Sequence, residues 1–176
     1  SGVALVNFLQ LAEIVVASKF RRNRLSYDRI RSAREYAMEK LGIDYPFAKL
    51  DLEAIGGHII HQWEQEHPGT GLLVLDSPEQ RVFPNIVKRT IQDFDPDDNK
   101  FALRWFPLGR TVPIVIDPLY ESGMPTIPER RITIHSIYSR FKAGYDPDFI
   151  ADDLQLQQAD VLNVIRYAQL IRRCNG

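Results

Sequence analysis

Thr133-Ile134-His135-Ser136-Ile137-Tyr138-Ser139-Arg140-Phe141-Lys142-Ala143-Gly144-Tyr145-Asp146-Pro147-Asp148-Phe149-Ile150 decides the reading of the chain. Ile134, Ile137, Tyr138 and Phe141 recur at helical spacing, which predicts a helix over Thr133 to Ala143. Gly144 follows where a helix end calls for a residue free to turn left-handed. Asp146-Pro147 then supplies an N-cap and a proline at the first helical position, where its missing N–H costs nothing. The second helix runs to about Leu154. After a turn at Leu156-Gln157, a third helix carries Val161, Leu162, Val164, Ile165, Ala168 and Ile171. A short helix, a tight turn and a longer helix is the helix-turn-helix plan, whose second helix enters a DNA major groove. Tri-helical units also serve as interaction domains, so the plan alone leaves both readings open.

Outward from that stretch, Gln157, Gln158, Asn163 and Arg166 form a polar strip on the candidate recognition helix, with side-chain types that read base edges. Arg140 and Lys142 on the preceding helix suit phosphates. Upstream, Val115-Ile116-Asp117-Pro118 and Ser122-Gly123-Met124-Pro125 read as an extended lead-in.

The segments Gly123-Met124-Pro125-Thr126-Ile127, Arg131-Ile132, Ala143-Gly144, Ile150-Ala151-Asp152-Asp153 and Ile165-Arg166-Tyr167-Ala168 resemble the family catalogued as domain of unknown function 433. Pro128-Glu129 replaces that family's usual glycine-threonine, and Leu154 its usual tyrosine. Such domains look like the DNA-binding half of VapB-type antitoxins. The resemblance therefore implies a type II antitoxin that binds operator DNA and neutralises a PIN-like ribonuclease. At the other end, Val6–Ile14, Leu25–Arg31 and Leu41–Ala48 resemble the back half of a MerR-like helical domain. Ser1-Gly2 reads as a non-native start, which leaves open whether the natural protein extends further.

The whole chain gives bounds. At 176 residues with 44% hydrophobic content it can build one large core or two or three small ones. The expected class is α+β: helical ends around a small central antiparallel sheet. The expected divisions are 1–48, a partial MerR-like region; 49–114, a β-rich middle; and 115–176, the helix-turn-helix. No apolar run approaches a membrane span, and the lone Cys174 fits a reducing cytoplasm. Residues 1–42 hold eight basic and four acidic side chains, residues 43–128 seven and thirteen, and residues 129–176 seven and six. Basic ends around an acidic middle suggest separate tasks for them. Residues 4–20 read as a helix with a broad apolar face, and Ser26 to Leu41 as another ending at Gly42. Between them, Arg21, Arg22 and Arg24 form a basic loop, either solvated or a second contact for nucleic acid.

In the middle, His58–Trp63 and Leu72–Leu75 read as strands. Ile86–Ile91 and Phe101–Phe106 read as a hairpin around Asp95-Pro96-Asp97-Asp98-Asn99. That turn lacks the spacing and closing glutamate of a calcium loop. His58, His61 and His67 have no matching Cys/His pair, and His135 reads as a surface position. Gly69-Thr70-Gly71 falls short of a phosphate loop. No nucleophile–base arrangement or carboxylate pair asks for an enzyme, and no cofactor or metal is expected. Two functions compete with the antitoxin: a stand-alone DNA-binding regulator and a non-enzymatic protein-interaction module. A homodimer is expected because one helix-turn-helix reads only a half-site.

Overall fold

The computed structural model describes residues 6–22, 26–49 and 91–174. The chain divides into two compact units, 1–103 and 104–176. The expected strands at His58–Trp63 and Leu72–Leu75, the three histidines between 58 and 67, and Arg24 lie outside the described residues.

In the first unit, α1 (Phe8–Arg22) packs on α2 (Tyr27–Leu41). The Asn7 carboxamide oxygen accepts the Gln10 N–H at 2.8 Å, and the Gln10 carboxamide oxygen accepts the Asn7 N–H at 2.9 Å. This reciprocal pair is a capping box. Ala12, Val15, Val16 and Phe20 are buried and Phe8 and Leu9 half-buried, so over these residues the apolar stripe read from the sequence faces inward. Ile14 lies off that stripe and is 56% exposed. Gly42 ends α2 at φ +62, a conformation that disfavours a Cβ.

A hairpin of β1 (Phe94–Pro96) and β2 (Ala102–Trp105) follows, and the division between the units falls within β2. Residues 86–90 of the expected first strand lie outside the described residues; Ile91 is helical, and β1 begins at Phe94. The turn sets where the strands meet it. Asp97 accepts backbone N–H groups from Asn99 at 2.9 Å and Phe101 at 2.7 Å, so the reversal is tight and the strands start at its edge.

The second unit begins with short extended pieces. Trp105 exchanges two backbone hydrogen bonds with Ile116, and Val115 two with Thr126. Next, β3 (Thr126–Ile127) pairs antiparallel with β4 (Ile132–Thr133) across a turn at Pro128–Arg131. The lead-in hairpin thus forms with Pro128-Glu129 at its tip, Arg131 taking φ +54.

Three helices complete the unit: α3 (Ile134–Lys142), α4 (Pro147–Leu154) and α5 (Gln158–Cys174). The Thr133 hydroxyl caps α3 by accepting the Ser136 N–H, and Asp146 caps α4 by accepting that of Asp148. Both connecting turns close in the same way. At the end of α3, the Gly144 N–H donates to the Phe141 carbonyl and the Tyr145 N–H to that of Arg140. At the end of α4, the Gln155 and Leu156 N–H groups donate to Asp152 and Ala151. Each turn holds one left-handed residue, Gly144 at φ +93 and Gln155 at φ +53.

The core of this unit is almost entirely aliphatic: Ile114, Ile127, Ile134, Ile137, Ile150, Ala151, Leu156, Val161, Val164 and Ile165. Leu154, where the resembling family has tyrosine, packs against it half-buried. Helices with two small antiparallel sheets make this an α+β fold, as expected.

Candidate nucleic-acid interface

The face of α5 follows from its 3.6-residue period. Val161, Val164 and Ile165 point into the core. Gln158, Ala159 and Arg166 are exposed on the other side, with Leu162 and Asn163 half-buried between. Leu162 was expected inward beside Val161. It lies one helical step off the buried stripe and outside the core cluster.

The strip residues are not equivalent. Gln157 is exposed, and its carbonyl accepts the first N–H groups of α5, those of Asp160 and Val161. The Gln158 amide donates to the Asp148 carboxylate on α4, so that side chain is already engaged. Arg166 is exposed and its guanidinium has no partner among the described residues. Asn163 and Arg166 are three apart, so they share one side of the helix. Arg140 is half-buried, donating to Ser136 Oγ at 3.2 Å and pairing with Asp153 at 3.5 Å. Lys142 is exposed at the end of α3. Arg21 and Arg22 are exposed at the C-terminal end of α1 in the first unit; they are its last residues rather than a loop.

Two further cations escaped the sequence reading. Arg130 and Arg131 are exposed at the tip of the β3–β4 turn. The Arg131 guanidinium lies 4.1 Å over the Tyr120 ring and donates to its hydroxyl at 3.1 Å. The signal was present as a Pro-Glu-Arg-Arg turn between two β-branched pairs, Thr126-Ile127 and Ile132-Thr133.

Acid surrounds the start of α5. Asp160 sits in its first turn, and burial, followed by the charge of Glu129, holds the Asp160 carboxyl above its usual range. Asp148 stands against Gln158. A phosphate at that helix start would meet these carboxylates, whereas the middle of α5 offers Arg166 and Asn163. Base-edge hydrogen bonding is the chemistry the middle of the helix can perform. Among the described residues no group of three or more His, Cys, Asp or Glu could hold a metal ion, and no helix is long and apolar enough to cross a membrane.

Known proteins share this architecture. The family described as "Protein of unknown function (DUF433)" matches residues 114–168, which take in β3, β4, α3, α4 and most of α5. A crystal structure of Rv2018 from Mycobacterium tuberculosis is similar at a TM-score of 0.72 and 21% identity, covering 91% of this chain and 78% of that one. At that identity the likeness speaks for the fold. Over 174 residues the chain is 25% identical to the Mycobacterium tuberculosis (strain ATCC 25618 / H37Rv) protein named "Putative antitoxin VapB45", covering 92% of this chain and 72% of the relative. The C-terminal unit thus matches the DUF433 family, and nearly the whole chain resembles an antitoxin-like protein.

Proposed function

We propose that this protein is the antitoxin of a type II toxin–antitoxin pair, a non-enzymatic cytoplasmic regulator that binds its operator as a homodimer. In this reading it neutralises a ribonuclease toxin, of the PIN-like class the family resemblance implies. The similarity to an antitoxin along nearly the whole chain carries the first part. The α4–turn–α5 arrangement inside the DUF433 match supports the DNA-binding part. Arg166 and Asn163 are the readers in this proposal. Lys142 is the phosphate contact, with Arg140 weakened by its pairing to Asp153.

A gel shift with DNA from upstream of the protein's own reading frame tests the DNA part. Arg166→Ala is expected to weaken operator binding by about 1–3 kcal/mol. Lys142→Ala should weaken binding to all sequences alike and flatten the salt dependence. Neither should alter stability much, since exposed charges contribute little to folding. If both variants bind as the parent does while Arg21→Ala or Arg22→Ala abolishes binding, α1 is the reader instead. Light scattering on the purified chain tests the dimer.

A further inference from the structure

The two turns of the three-helix unit are built alike, yet they dispose of their apolar residue differently. After Gln155 the chain places Leu156 in the core, 9% exposed. After Gly144 it places Tyr145 outside, 51% exposed. A hydrophobic residue at this position ordinarily folds back onto its own helix. Tyr145 instead stacks on Phe149, ring centroids 5.6 Å apart and planes 15° from parallel, and Phe149 is itself 55% exposed. Neither ring belongs to the core cluster.

Carboxylates flank this stack. Asp152 and Asp153 follow Phe149 by three and four residues, which puts them on its side of α4. Asp146 and Asp148 lie at the start of the helix. Three of the four have structural partners: Asp146 caps α4, Asp148 accepts from Gln158, and Asp153 pairs with Arg140. The Asp152 side chain is exposed and has no partner among the described residues. Stacked aromatic faces beside unspent carboxylate suit arginine and lysine, through cation–π contact and charge-assisted hydrogen bonds. The same carboxylates repel a phosphate backbone.

We propose that Tyr145, Phe149 and Asp152 form a docking surface for a basic protein segment, and that this is the toxin-facing surface. The partner's identity rests on the antitoxin reading; the surface chemistry does not. A protein that cleaves RNA must present cations to phosphates, and an acidic helix with an aromatic anchor occupies the same cations. Exposed aromatic pairs of this kind are typical anchors of protein interfaces.

The test uses the full chain with the protein encoded by the neighbouring reading frame, titrated by calorimetry. The variants are Tyr145→Ala/Phe149→Ala and, separately, Asp152→Lys. Each should lower partner affinity at least tenfold while keeping parental helicity, and Asp152→Lys should flatten the salt dependence. The double variant should leave the upstream-DNA gel shift unchanged. Variants that bind the partner within twofold of the parent overturn this surface and leave the antitoxin reading standing. A parent chain that does not bind the neighbouring product at low salt overturns both. Loss of DNA binding with partner binding intact assigns the face to DNA and overturns the proposal. Because one variant removes rings and the other reverses a charge, misfolding of either leaves the other decisive.

Discussion

The two units hold their helices together by different means. In the first, the buried Glu13 carboxylate accepts the Arg34 guanidinium, Nε at 2.9 Å and Nη2 at 2.8 Å, and also the Phe47 backbone N–H at 3.3 Å. Phe20 meets Phe47 edge-on at 5.6 Å, and Lys19 pairs with Asp93 at 2.6 Å. These contacts join residues far apart in sequence, and the two ion pairs among them depend on charge. The second unit has an aliphatic core, with a hydroxyl or carboxylate cap on α3 and α4 and a left-handed residue closing each turn. Its instructions are local, and its stability rests on packing. That contrast predicts that the units respond to different insults: the second to lost volume, the first to a lost charge partner.

The largest expected effect is in the second unit. Ile137 is fully buried amid Ile114, Ile127 and Ile150. Ile137→Ala removes three carbons from a core without polar alternatives and should cost about 2–5 kcal/mol. Scanning calorimetry should show the loss, and circular dichroism should show α3 to α5 melting early. A cost under 1 kcal/mol would mean that this core collapses around the gap, and that packing is not what distinguishes the two units.

Arg34→Ala probes the other side of the comparison. It leaves the Glu13 carboxylate, 7% exposed, with only the Phe47 N–H among the partners described above. The cost should be roughly 1–3 kcal/mol, since Arg34 is itself part-exposed and water can replace some of what it supplies. Glu13→Leu combined with Arg34→Met should recover most of that loss, because an apolar pair leaves no buried charge unpaired. If the double variant is as unstable as the single one, the ion pair fixes the α1–α2 packing beyond satisfying Glu13.

The same contrast explains what could be read from the sequence. Thr133, Gly144 and Asp146-Pro147 carry the boundaries of α3 and α4 in their own chemistry, so those helices were legible to within a residue. The Gln155 turn was harder to read, since glutamine does not announce a left-handed conformation. The Glu13–Arg34 pair spans twenty-one residues, and no periodicity connects them. Of the hairpin's expected first strand only Ile91 lies among the described residues, where it is helical, and the Asp97 side chain makes the reversal tight. At the candidate interface, residue types were legible but their commitments were not. Gln158 and Arg140 looked as free as Arg166, and only the fold shows that the first two are tied to Asp148 and Asp153.

Gln155 offers a smaller, stabilising change. Its left-handed conformation, φ 53 and ψ 45, strains any residue with a Cβ. Gln155→Gly should raise stability by about 0.5–1 kcal/mol, net of the entropy glycine loses on folding. A fall in melting temperature instead would show that the Gln155 side chain contributes more than its backbone costs.

The smallest effect tests whether charge matters at the start of α5. Burial and the neighbouring Glu129 raise the Asp160 carboxyl above its ordinary 3.8. The folded state therefore holds this proton more tightly than the unfolded chain does. Linkage then requires that the contribution of Asp160 be fully favourable below about pH 3.8 and decline as pH rises through the raised value. Asp160→Asn should accordingly be slightly more stable than the parent at neutral pH, and the advantage should vanish as the pH is lowered toward the ordinary carboxylate range. The attraction between a carboxylate and the start of α5 opposes this, because Asp160 stands in the helix's first turn. The sign at neutral pH decides which influence wins. A variant less stable than the parent at pH 7 would show that the helix start outweighs burial and Glu129, and that the acid around α5 supports the fold.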